Sequence, residues 1–133
     1  MQLNITRSQK KAGMISKEIV FMLNVKSDLT EEEKFAVQEY GLGKLPIYNS
    51  EASRKHLDNA GSGGLLKAAA SLAMHKMSLN ITVDSLMQGQ TVECKSLDEV
   101  LSAEEAVREA CDNMKSYIRV AQGFDGSTET IEF

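Results

Sequence analysis

Apolar residues recur at steps of three and four over residues 96–123. Val107, Cys111, Met114, Ile118 and Ala121 share one face, Val100, Ala110 and Tyr117 flank it, and Leu97 and Leu101 lead in. One face of a 3.6-residue repeat predicts an amphipathic helix, the longest in the chain. Two start signals compete, Ser96 with Glu99 and Ser102 with Glu105, each at capping-box spacing. The pattern predicts a short helical turn over 97–101, then the main helix from about Ala103 to a stop at Gly123. Glu104, Glu105 and Glu109 load its early turns, and Lys115 and Arg119 its late ones. That order complements the helix dipole. Glu104 also precedes Arg108 at ion-pair spacing.

Upstream, the period drops to two. Leu3 and Ile5 alternate with polar residues, so residues 2–9 read as a half-buried strand broken by Ala12, Gly13 and Met14. In residues 17–26, Ile19, Phe21, Leu23 and Val25 point one way, Val20 and Met22 the other. Two apolar faces predict a strand inside the sheet. The two strands form a hairpin whose tip is expected to carry Arg7, Lys10, Lys11 and Lys17. Residues 30–40 read as a helix with a Thr30–Glu33 capping box and a Gly41 stop. Pro46 makes residues 45–48 an edge strand or extended connector, since it cannot donate to a ladder.

Ser50 starts a short predicted helix running to Leu57. The glycine-rich stretch Gly61, Ser62, Gly63, Gly64 leads into an Ala- and Leu-rich helix over 65–76, whose narrow polar stripe is Lys67, Ser71 and His75. Leu79, Ile81 and Val83 predict a strand with one wet face, turned by residues 87–90 and returned over 91–95 by Val92 and Cys94. After a turn at 124–126, residues 128–133 read as a closing strand with Ile131 and Phe133 on one face. The run Leu3, Asn4, Ile5, Thr6 recurs as Leu79, Asn80, Ile81, Thr82. Either a duplicated β-β-α unit over 1–41 and 77–123 or a chance match accounts for it.

These elements predict an α+β fold: one domain over 1–133, with five or six mostly antiparallel strands built from hairpins. The long C-terminal helix and the Ala-rich helix are expected to pack on one face. At 133 residues, 42% apolar and 26% charged, the chain suits a soluble domain with a real core. No apolar run approaches the roughly 20 residues that span a bilayer. The polar start at Gln2, Asn4, Thr6 and Arg7 is unlike a signal peptide. A cytoplasmic location without membrane insertion is the expectation. Two cysteines, Cys94 in a strand and Cys111 on the helix's apolar face, are expected to stay reduced, with no metal and no cofactor.

The net charge of −4 is uneven: residues 1–26 hold five Lys or Arg against one Glu, and residues 91–133 hold four against ten acids. This allows a polar, head-to-tail or self-complementary contact and does not favour general nucleic-acid binding.

Three surfaces carry candidate chemistry. Glycines at a helix start suit an anion or phosphate, which makes Gly61, Ser62, Gly63 and Gly64, with Lys67 and His75, a candidate ligand loop. Leu65 and Leu66 stand where the phosphate-loop signature needs Lys and Ser or Thr, which argues for a linker. Arg7, Lys10, Lys11 and Lys17 are candidate nucleic-acid contacts, but no aromatic is interleaved to stack on bases. Met114, Tyr117, Ile131 and Phe133 are candidate interface residues, through the long helix or through strand addition to a partner. A Cys–His pair drawn from Cys94 or Cys111 with His56 or His75 lacks an orienting third group. The acids at Glu31, Glu32, Glu33, Glu104 and Glu105 sit where helix dipoles already favour them. The balance points to a non-enzymatic protein-binding or adaptor module, self-associating as a homodimer. A nucleic-acid module and a small-molecule binder are the alternatives.

Overall fold

In the computed structural model, which describes residues 1–12, 18–49 and 79–133, the chain is α+β, with antiparallel sheets and a long C-terminal helix. The first two strands are longer than their apolar patterns. They are β1 (Gln2–Ala12) and β2 (Glu18–Asp28), paired from Gln2↔Asp28 to Ala12↔Glu18. The two apolar faces of β2 place it inside the sheet as expected, between β1 and β5 (Gln90–Cys94). β5 covers only part of it, pairing residues 21–25, so the far end of the β1–β2 ribbon extends past β5. Leu23, Val25 and Ser27 of β2 point inward with Val92 and Cys94 of β5 and are buried.

Helix α1 (Glu31–Glu39) has the predicted box: Thr30 Oγ1 accepts the Glu33 N–H at 3.2 Å, and Glu33 Oε1 accepts the Thr30 N–H at 3.0 Å. Gly41 follows in the left-handed region at φ 62, a conformation glycine adopts freely at a helix end. β3 (Pro46–Asn49) begins at Pro46 and pairs with β4 (Asn80–Thr82) in a second sheet. The five described strands therefore divide into sheets of three and two, not one sheet of five or six. The predicted short helix over 50–57, the glycine-rich loop and the Ala-rich helix lie outside the described residues.

The division has a local cause. The expected strand over 79–84 stops at Thr82, which caps helix α2 (Val83–Gln88). Thr82 Oγ1 accepts the Ser85 N–H at 3.2 Å, and Ser85 Oγ accepts the Thr82 N–H at 2.9 Å. Two more N–H groups of the first turn are taken by the connector before β3: Val83 donates to the Leu45 carbonyl and Asp84 to that of Gly43. The helix start thus leaves few donors free. Val83 and Leu86 are fully buried. The expected hairpin between the 79–84 and 91–95 strands is absent, because α2 separates them and they join different sheets.

The long helix α3 (Leu97–Gln122) is continuous. Its cap is Ser96, which accepts the Glu99 N–H, while Glu99 accepts the Lys95 N–H at 2.6 Å. The predicted restart at Ser102 does not occur. Ser102 is buried within the helix. Gly123 caps it in right-handed geometry at φ −72. The inner stripe, Ala103, Val107, Ala110, Met114 and Ile118, is buried to 2% exposure or less. It packs on β2, β5, β3 and α1. Asn113 Nδ2 donates to the Ile47 carbonyl of β3 at 2.9 Å, and Cys111 meets Ser27 of β2, so α3 ties the two sheets together. Residues 128–133 form no strand and are exposed. They have no ladder partner among the described residues, and an extended segment alone cannot satisfy its backbone except by water.

Candidate functional site

Three residues of the expected basic tip, Arg7, Lys10 and Lys11, lie along β1, and two of them are engaged. Arg7 sits in the middle of the strand, opposite Leu23. Its Nε–H donates to Glu104 Oε1 of α3 at 2.5 Å. That hydrogen bond, then the carboxylate charge, raises the Arg7 pKa and keeps the guanidinium protonated. Lys10 lies 3.4 Å from Glu93 of β5. Lys11 is exposed, and Lys17 lies outside the described residues. Two of the four expected phosphate contacts are thus already held by carboxylates.

Gly61, Ser62, Gly63, Gly64, Lys67, His75 and His56 lie outside the described residues. Of the two cysteines, Cys94 is buried, and its thiol pKa is raised by that burial and by Glu99 and Glu104. Burial also raises Cys111, against a smaller lowering by Ser27. Both stay protonated near neutral pH, the wrong state for a nucleophile. Three of the five acids have structural partners: Glu31 lies near Lys34, Glu33 belongs to the Thr30 box, and Glu104 holds Arg7. Among the described residues no group of three His, Cys, Asp or Glu is placed to hold a metal ion.

Of the interface candidates, Met114 is withdrawn into the core at 0% exposure and offers a partner nothing. Its spacing on the inner stripe already carried that signal. Tyr117 is exposed, and Ile131 and Phe133 project from the C-terminal segment. The expected closing strand beneath Ile131 and Phe133 is not formed.

The structure adds residues that periodicity alone passed over. Val120 and Phe124 are 62% and 74% exposed. Val120 joins Tyr117, three residues before it, in an exposed apolar strip of α3 beside the buried one, and Phe124 lies just past the Gly123 cap. The hydroxyl of Tyr40, the C-cap of α1, donates to the Phe124 carbonyl at 3.0 Å, which fixes the chain as it leaves α3. Leu97 and Leu101, one turn apart at the other end, are also exposed. No described helix is long and apolar enough to cross a membrane. Compared with protein-family models, with curated proteins and with solved structures, the chain matches none.

Proposed function

We propose that this chain is a non-enzymatic protein-binding module acting in the cytoplasm, and that the C-terminal end of α3 is its contact surface. The observation that carries this is the exposed pair Tyr117 and Val120 on a helix whose adjacent stripe is buried, with exposed Phe124 just past the Gly123 cap. Aromatic and large apolar side chains are enriched in the cores of protein interfaces, where they supply most of the binding energy. The Tyr40–Phe124 hydrogen bond holds that end of the surface in place, which reduces the ordering cost of association. Two free, buried thiols suit a reducing compartment.

The test is association measured by native mass spectrometry and by capture of partners on the immobilised chain. Val120→Asp with Phe124→Asp should abolish association and leave the melting temperature nearly unchanged, because both positions are exposed. A chain that stays monomeric at high concentration and captures nothing sinks the proposal, as does one that associates equally well with both aspartates in place.

A further inference from the structure

Among the described residues β1 has a ladder partner on one side only, so every second backbone N–H and C=O of its outer edge is unpaired. Such an edge is a template for another strand. The chain also holds a segment suited to be that strand. Residues 128–133, Thr-Glu-Thr-Ile-Glu-Phe, are exposed and outside any helix or sheet. They are rich in residues that favour strands.

Charge and burial select the register. On the core-facing side, β1 carries Leu3 and Ile5, both half-buried, and then Arg7. The tail carries Phe133, Ile131 and then Glu129 at the same spacing of two, in the reverse direction. Antiparallel pairing of Leu3 with Phe133, Ile5 with Ile131 and Arg7 with Glu129 matches apolar to apolar and acid to base. Cross-strand pairs of these kinds stabilise a sheet. Glu104 takes only the Nε–H of Arg7, and the terminal Nη groups have no partner among the described residues. A second carboxylate fits there.

The geometry also says whose tail this is. Arg7 meets α3 at Glu104, nineteen residues before Gly123. At 1.5 Å per residue that is about 28 Å along the helix. The four steps from Gly123 to Ser127 span at most about 14 Å. A tail in this register would need its Ser127 near Gln9, beyond Arg7, which its own helix does not permit. We infer that residues 128–133 of one copy add antiparallel to β1 of a second copy, with Glu129 against Arg7, in a reciprocal two-strand exchange. The exchange is isologous, so each copy gives a tail and receives one. It rests on the binding-module reading above and narrows the partner to the chain itself.

The test is disulfide trapping in the full chain. Thr6 and Thr130, both exposed, are directly opposed in this register. Opposed antiparallel residues hold their Cα atoms about 4.5–5.5 Å apart, within disulfide reach. Thr6→Cys with Thr130→Cys should give a covalent dimer on mild oxidation, and mixing the two single variants should give the singly bridged heterodimer. Separately, Thr130→Pro should weaken dimerisation at least about tenfold, since proline lacks the N–H that completes a ladder. Glu129→Arg should weaken the dimer, and adding Arg7→Glu together with Glu104→Gln, which spares the new carboxylate its clash with Glu104, should restore it. A bridge formed within one chain, or a dimer indifferent to Thr130→Pro, overturns the exchange. Indifference to Thr130→Pro combined with sensitivity to Val120→Asp and Phe124→Asp leaves the binding-module reading standing. A monomer under all conditions overturns the exchange, and if it also captures no partner that reading fails with it.

Discussion

The Ser27 hydroxyl of β2 and the Cys111 thiol of α3 lie 3.3 Å apart, hydrogen-bonded across the packed interface between sheet and helix. Ser27 is 3% exposed, in a row that otherwise holds Leu23 and Val25. A hydroxyl placed there without a partner would cost stability, and the thiol satisfies it. Ser27 would read as an error in the apolar alternation. With Cys111 opposite, it fits.

The two thiols give a pH prediction. Burial raises both cysteines above the ordinary range, with Glu99 and Glu104 adding to Cys94 and Ser27 partly offsetting Cys111. Below the unfolded thiol pKa, about 8.5, both states hold the proton and the thiols leave stability independent of pH. Above it the unfolded chain loses protons that the folded chain retains, so stability falls as pH rises. The expected outcome is a denaturation midpoint that drops above about pH 8.5, less so in Cys94→Ala and Cys111→Ala variants. Ellman's reagent should find no accessible thiol in the native protein and two after unfolding. Rapid native labelling would contradict this.

Gly43 gives a second prediction, this one steric. A Cβ at Gly43 would stand 2.5 Å from Asp84 Oδ1 and 2.6 Å from Oδ2. The atoms it meets are the far end of the Asp84 side chain, so the carboxylate must turn aside while the Asp84 N–H keeps its bond to the Gly43 carbonyl at 2.8 Å. Gly43→Ala should therefore push the Asp84 side chain off its rotamer and destabilise by about 0.5–1.5 kcal/mol. In an Asp84→Ala background most of that loss should disappear. Urea titrations of the four proteins in the cycle measure the coupling, and strict additivity would show that the contact relaxes without cost.

Much of this architecture was legible because period and caps agreed. The Thr30–Glu33 box, the interior position of β2 and the inner stripe of α3 with its end at Gly123 all follow from residues neighbouring in sequence. The failures are places where one pattern served two structures. Leu79, Ile81 and Val83 alternate like a strand, yet Val83, Leu86 and Met87 also step like a helix. The choice falls to Thr82 and Ser85, a box closed by serine where glutamate or glutamine is the usual signal. Ser102 resembles a cap, but Ser96 has already supplied one and nothing upstream interrupts the helix. At the candidate surfaces, composition announced the basic residues of β1. It could not show that Glu104 and Glu93 hold two of them, because those contacts join residues 97 and 83 positions apart.

Met114 and Tyr117 separate packing from contact on one helix. Met114 is fully buried, and Tyr117, one turn on, is 47% exposed. Met114→Ala should cost about 2–5 kcal/mol through lost burial and the cavity left behind. Tyr117→Ala should change stability by no more than about 0.5 kcal/mol. Association should respond in the opposite order, with Tyr117→Ala weakening it in conditions where Met114→Ala remains folded and binds normally. Thermal melts and native mass spectrometry on the same samples check both. A large stability loss at Tyr117 would make it a core residue and remove it from the contact surface.

The last prediction concerns anions. Arg7 and Lys10 are the strongest remaining argument for a nucleic-acid surface, and each is paired with a carboxylate, on α3 and β5 respectively. A phosphate backbone would have to displace Glu104 and Glu93 or leave them repelling it. Binding of a labelled duplex, followed by fluorescence anisotropy, should therefore be weak in the native protein at physiological salt. Glu104→Gln with Glu93→Gln releases both cations and lowers the negative charge by two. That variant should bind more tightly than the native chain, with an affinity that falls steeply as salt is added, the mark of counterion release. Lys10→Glu with Lys11→Glu should then remove the gain. Tight, salt-sensitive binding by the native chain would mean that the carboxylates yield to phosphate, and would move β1 from a strand-exchange edge to a nucleic-acid contact.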